Sequence, residues 1–164
     1  MTLNSILASL LIRIPFRIPD ENYIKLLYRL KFGKKLNLEN PKTFQEKLQW
    51  LKLYNKNHNY TQMVDKYEVK SYMSALIGEQ YIIPTLGVWD KPEDINWDKL
   101  PQQFVLKTTH GGGNGGVVVC QDKSKLSKKQ AVAKLQQSMK QDIYKIYREW
   151  PYKNVKKRII AEAY

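Results

Sequence analysis

Cysteine is almost missing from this sequence. Cys120 stands alone, which excludes an internal disulfide framework and a cysteine-built zinc site. Histidine is nearly as scarce, and His58 and His110 are too few for a histidine-rich metal centre. No apolar run approaches the roughly 20 residues of a membrane-spanning helix. There is no Asp-x-Asp signature of sugar-nucleotide enzymes, no Ser/His/Asp order that suggests a nucleophilic triad, and no internal repeat or low-complexity linker. The acidic loop holding Asp90, Glu93, Asp94 and Asp98 has no calcium-loop spacing and reads as a solvated loop.

What the chain does have is positive charge. Its 164 residues suit one domain, or one with a small attachment, and with 43% hydrophobic and 12% aromatic residues it can bury a core. Wholesale disorder is thereby excluded. Lys and Arg number 28 against 15 Asp and Glu, a formal net charge of +13. Residues 1–38 carry 7 basic and 2 acidic side chains, residues 39–121 carry 9 of each, and residues 122–158 carry 12 basic and 3 acidic. The basicity therefore flanks a neutral middle. Such flanks suit nucleic acid, anionic lipid or an acidic polymer, and charge alone does not choose among them.

Residues 1–12 are uncharged. No basic residue precedes them and no small-x-small cleavage site follows, so they make a poor signal peptide. Pro15 and Pro19 interrupt any long helix, and Tyr23, Leu26, Leu27 and Leu30 form one helical face. Residues 1–38 are expected to be a basic helical attachment. A contact with anionic lipid headgroups is the sharper reading of the same stretch. The expected location is cytoplasmic, with a peripheral membrane contact as an open reading.

Thr43 and Glu46 have capping-box spacing ahead of Leu48, Trp50, Leu51 and Leu53, which predicts a helix ending near residue 54. Thr61 is a candidate N-cap for a second helix reaching residue 77, with Gly78 as its stop. Residues 81–83 and 86–89 read as short strands about Pro84. Residues 104–108 and 117–120 read as strands, residues 127 to about 147 as one long helix, and residues 158–164 as a strand. The fold class implied is α+β. Cys120, within a β run, reads as a small core residue.

Five of the eight glycines fall within six positions. Gly111, Gly113 and Gly116 satisfy G-x-G-x-x-G, but the dinucleotide fingerprint needs a helix after the loop. Three valines and Cys120 follow instead. The loop is not a Walker A motif either, since no Lys-Ser or Lys-Thr follows its last glycine. What remains is a strand–glycine loop–strand hairpin with Lys107 on its first strand. Glycines let backbone N–H groups approach phosphate, and Lys107 could set a point charge beside it. His110 could hydrogen-bond a phosphate or merely shape the loop.

Phe104-Val105-Leu106-Lys107 followed by Thr-Thr-His-Gly-Gly-Gly resembles the lysine strand and glycine loop of ATP-grasp enzymes. With Asn40 to Lys47, Asp65 to Lys70, Ile83-Pro84 and Ile159 to Tyr164 in order, the chain resembles the TupA-like ATP-grasp branch over roughly residues 37–164. That branch is associated with bacterial surface polysaccharide and polymer synthesis, and its members often carry a glycosyltransferase label. The resemblance implies ATP as cofactor, with residues 39–164 as an incomplete nucleotide-binding region. It implies Lys66 and Lys107 as phosphate-binding lysines, and Gly111, Gly112, Gly113, Gly115 and Gly116 as the mobile lid. Glu162, with the backbone of Ala163 and Tyr164, resembles the hinge that reads adenine.

Mg2+ is expected for the complete family domain, with its ligands outside this chain, which stops at Tyr164. The sequence is therefore read as a fragment or a truncated gene, with no metal ligand and no turnover expected of it. The function implied is ATP-dependent carboxylate activation through an acyl phosphate, acting on a carboxylate-bearing or sugar-polymer substrate. Catalytic residues are not identifiable. The alternatives are a glycosyltransferase-type polysaccharide protein, and a basic module binding acidic polysaccharide or nucleic acid. For the last, Tyr144, Tyr147, Trp150 and Tyr152 offer stacking surfaces in the basic segment, though a solvated helical face is preferred and nucleic acid is disfavoured.

Overall fold

The computed structural model describes residues 3–13, 18–111 and 113–164, with the backbone alone at Asn114. Pro15 and Gly112, singled out above, lie outside the described residues. In chain order the elements are α1 (Leu3–Arg13), α2 (Asp20–Phe32), α3 (Phe44–Tyr54), α4 (Asn59–Val64), α5 (Glu68–Ile77), β1 (Thr85–Trp89), β2 (Phe104–Thr108), β3 (Val117–Cys120), α6 (Lys128–Met139), α7 (Ile143–Tyr147) and β4 (Ile159–Ala163). The architecture is α+β. Two compact units share the chain: residues up to His58 with Asp142–Lys153, and Asn59–Gln141 with Asn154–Tyr164.

The first unit is helical. Gly33 ends α2 in the left-handed conformation, with φ 67° and its N–H bonded to the Arg29 carbonyl. The capping box expected at α3 forms: Glu46 N–H donates to Thr43 Oγ1 at 3.2 Å, and Thr43 N–H donates to Glu46 Oε2 at 2.9 Å. Tyr23, Ile24, Leu27 and Tyr28 of α2 pack with Ala8 and Leu11 of α1 and with Leu36, Leu38 and Leu53. The buried face of α2 is thus turned by one residue from the expected one, and Leu26 is exposed. From α7, the Ile146 carbonyl accepts the Tyr23 hydroxyl at 2.9 Å, and Tyr144 donates its hydroxyl to Asp20 Oδ2 at 2.6 Å. Burial and that hydrogen bond push the Tyr144 phenol up to about 12. Arg148 follows α7 at φ 54° and lies 4.0 Å from the centre of the Tyr23 ring.

The second unit is built on a four-stranded antiparallel sheet in the order β1-β4-β2-β3. Alternation along β2 sends Phe104, Leu106 and Thr108 to one face, where they are buried, and Val105 and Lys107 to the other. On the first face Phe104 and Leu106 join Ile159 and Ala161 of β4, Cys120 of β3, Ile95, Leu100 and Leu135 of α6 in one core.

Three elements differ from those expected. The helix expected from residue 61 to 77 is two helices, because the Asp65 carboxylate accepts the backbone N–H groups of Tyr67 (2.8 Å) and Glu68 (3.2 Å) and starts α5 afresh. Asp142 acts alike, accepting from Lys145 N–H at 2.9 Å, so the helix expected from 127 to 147 breaks into α6 and α7. Residues 81–83 are not a strand: Glu79–Tyr81 is a 3-10 turn after Gly78, at φ 97°, and pairing starts only at Thr85, after a proline with no N–H to give.

Candidate functional site

The second face of the sheet brings together ionisable groups that are scattered in sequence. In the β2–β4 ladder Lys107 stands opposite Ile160 and Val105 opposite Glu162, so Lys107 and Glu162 are diagonal neighbours. The Lys107 ammonium forms an ion pair with Glu162 Oε2. Lys70, reaching in from α5, pairs with Glu162 Oε1 at 2.8 Å. Burial alone would raise the Glu162 carboxyl, but hydrogen bonds from Lys107 and Lys70, with their charges, outweigh it, and its pKa lies below the ordinary value. The carboxylate stays ionised and fixes two lysines.

Lys66 sits at the break between α4 and α5. Its backbone N–H donates to the Thr109 carbonyl at 3.1 Å, and its ammonium donates to the carbonyls of Thr108, at 3.2 Å, and Gly111. Burial lowers its pKa, and the Lys107 charge lowers it further against the opposing pull of Asp65 and Glu162. The structure therefore sets Lys70 and Lys107 on one carboxylate, with the Lys66 ammonium on the Thr108 and Gly111 carbonyls, near enough to feel the charges of Lys107 and Glu162. An anion arriving there would relieve the mutual repulsion of the lysines.

The glycine run is a 3-10 turn over Gly113–Gly116 leading directly into β3. Its two ends are clamped. Gly111 and Gly116 are buried, and a Cβ on Gly116 would fall 2.3 Å from both Thr108 Oγ1 and Ser138 Oγ, which are themselves 2.8 Å apart. Gly113 takes φ 68°, a conformation side-chain-bearing residues rarely adopt, and Gly115 is exposed.

His110 is buried beneath this turn. Its Nε2 lies 3.2 Å from the Ser138 carbonyl, so the neutral ring carries its proton there, and Nδ1 has no hydrogen-bond partner among the described residues. Burial, then the nearby Lys157 charge, lowers its pKa from the ordinary value of 6.5. Below pH 6.5 the unfolded chain takes up a proton that folded His110 resists, so stability should fall with acidity until the folded pKa is passed. Urea unfolding from about pH 7.5 to about pH 5 should show this loss in the parent and a flatter profile in His110→Gln. Identical profiles would remove His110 as the cause.

At the far end of β4 the arrangement differs. Ala163 N–H is committed to the Pro84 carbonyl at 3.1 Å. The Tyr164 hydroxyl accepts from Gln121 Nε2 at 2.6 Å. Ala163 and Tyr164 line an open cleft of about 620 Å³ with Pro101, Gln102, Gln103 and Gln121. The pairing of Thr108 with Ile159 and of Phe104 with Ala163 puts four residue steps between the glycine turn and this end, roughly 13 Å.

Two contributors were missed from the sequence. Lys70 lies four residues beyond Lys66, a spacing that would have suggested it had the helix run unbroken. Arg158 had no signal. Its guanidinium donates to Asp65 Oδ2 at 3.0 Å and Glu68 Oε1 at 2.5 Å, lies 4.8 Å from the Tyr67 ring centre, and so braces the segment that carries Lys66. Thr109, whose N–H donates to the Arg158 carbonyl at 2.9 Å, ties the same segment to the end of β2.

The profile of one protein family, described as TupA-like ATPgrasp, matches residues 46–164. No curated protein and no solved structure matches the chain.

Proposed function

Because the chain belongs to the TupA-like ATPgrasp family, we propose that its second unit binds ATP along the outer face of the sheet. The observation that carries this reading is the pairing of Lys70 and Lys107 with Glu162, with Lys66 held on the Thr108 and Gly111 carbonyls beside the glycine turn. Three ammonium groups against one carboxylate leave local positive charge for a polyphosphate, and the backbone N–H groups of the turn add neutral donors. The roughly 13 Å from the turn to Ala163 along β4 is of the order of an extended nucleoside triphosphate. Adenine would then lie toward Tyr164, read by backbone groups other than the committed Ala163 N–H.

The contacts support a division of roles. Lys66 and Lys107 neutralise phosphate oxygens. Glu162 holds Lys107 and Lys70 in position until phosphate competes for them. His110, Thr108 and Ser138 seat the turn. Magnesium does not fit these residues in the same way: Glu162 is spent on lysines, and no cluster of three or more metal-ligating side chains occurs among the described residues. ATP, when bound, supplies the phosphoryl group for activating a carboxylate. The resemblance in sequence supports placing that chemistry in bacterial surface-polymer synthesis, with a carboxylate-bearing or sugar-polymer substrate.

The test is thermal unfolding of the parent, Lys107→Ala and Lys66→Ala with Mg-ATP and, separately, adenosine. ATP at about 100 times its dissociation constant should stabilise the parent by about 2.7 kcal/mol. Each lysine variant should weaken ATP about tenfold or more, the size of a lost charge-assisted contact, and leave adenosine unaffected. No shift of the parent with ATP would sink the reading, as would equal shifts in all three proteins.

A further inference from the structure

The helix α1 buries only part of its circumference. Ala8 and Leu11 enter the core of the first unit. Leu3, Ile6, Leu7 and Leu10 remain 71%, 41%, 42% and 47% exposed. Their spacing of i, i+3, i+4 and i+7 places all four on one stripe. Arg13, exposed and three residues beyond Leu10, continues that stripe at its C-terminal end.

We propose that the exposed apolar stripe of α1 is a membrane-docking face that lies in the headgroup region of an anionic bilayer. The stripe is an aliphatic row ending in a cation, the pattern of a helix that beds its apolar side among acyl chains while an arginine reaches phosphate. No acidic residue occurs anywhere in Leu3–Arg13. The surrounding stretch has the complementary charge for anionic lipid, with seven basic against two acidic residues up to residue 38. Both of those carboxylates are already engaged, Asp20 by Arg148 at 3.1 Å and Glu21 by Lys25 at 2.5 Å. Lys25, Arg29, Lys31, Lys34 and Lys35 are exposed on the same unit.

A second protein fits the stripe less well than a bilayer does. Four aliphatic side chains offer far less than the roughly 800 Å² per partner of a stable interface. A spanning role is excluded by length: 11 residues rise about 16 Å, half the apolar thickness of a bilayer. No helix among the described residues is long and apolar enough to cross a membrane.

Sedimentation with vesicles tests the proposal. The full chain should pellet with phosphatidylcholine vesicles containing a quarter phosphatidylglycerol, and only weakly with pure phosphatidylcholine. Binding should weaken with added salt, as expected for lipid charge. The double substitution Leu7→Asp with Leu10→Asp should reduce binding at least about tenfold. Both positions are solvent-exposed, and circular dichroism checks that the helices persist. As a second reading, Leu7→Cys carrying a polarity-sensitive dye should shift to the blue with anionic vesicles, labelling being specific because Cys120 is buried. No pelleting of the parent, or unchanged binding by the double variant, would overturn the proposal. So would a dye that fails to shift, or a lipid-independent dimer that the double substitution dissolves.

Discussion

Replacing Arg158 with methionine should lower the free energy of unfolding by about 3 kcal/mol. The reason lies at Asp65, which is buried while its Oδ2 accepts from Arg158 Nη2 at 3.0 Å. Methionine has similar bulk and can still pack on the Tyr67 ring, but it leaves a buried carboxylate without its cation. Glu68, the other partner, is 42% exposed and returns to water at little cost. The two N–H bonds that Asp65 accepts from Tyr67 and Glu68 soften the loss without removing it. Urea unfolding of Arg158→Met, Asp65→Asn and the double variant would separate the terms. The double variant should be less destabilised than the sum of the singles, since neutral asparagine no longer needs the guanidinium. An Arg158→Met protein within about 0.5 kcal/mol of the parent would show that the pair contributes nothing. Because the pair braces the Lys66 segment, the same substitution should also loosen ATP binding.

Truncating Phe104 to alanine should cost about 3–5 kcal/mol, the range for a fully buried aromatic side chain. Phe104 is 0% exposed, pairs with Cys120 across β2 and β3, and meets the Trp97 ring with centroids 6.5 Å apart. Val119, on the next rung and opposite Val105, is 53% exposed. Val119→Ala should therefore cost less than about 1 kcal/mol. The contrast tests the register itself, because a slip of one residue between β2 and β3 would exchange the two faces. Comparable losses for the two variants in urea would mean the pairing is wrong.

Local patterns carried much of this fold into the sequence. Thr43 and Glu46 announce their capping box because both partners lie within one helical turn. The alternation of Phe104 to Thr108 and the three valines after the glycines announce β2 and β3, since strand burial repeats every second residue. The two helix breaks were hidden by the same chemistry at two places. Asp65 and Asp142 each lie inside a sequence that continues helical periodicity, and only their side-chain bonds to the next turn stop it. Residues 81–83 misled in the other direction, being β-favouring residues with no neighbouring strand to pair with. The lysines and glycines of the candidate site were visible as residues, whereas their arrangement was not. Glu162 meets Lys70 and Lys107 across long stretches of chain, and Arg158 meets Asp65 over 93 positions. Nothing in the local sequence at either end specifies such a meeting.

The composition of the first unit sets an order of events during biosynthesis. Its helices near the start of the sequence close over Asp142–Lys153, and the Tyr23 hydroxyl waits for a carbonyl 123 residues later. A ribosome releasing this chain must deliver α4 to α6, with β1, β2 and β3, before that first unit can finish, and β4, which lies between β1 and β2 in the sheet, follows later still. Until then Tyr23 and the stretch of α2 around it lack their α7 partner. Early helices that stay open while the following elements are synthesised are targets for chaperones and proteases, and loop closure over that span is slow. Translation that halts between α6 and α7 would therefore leave α1 and α2 synthesised yet unsealed.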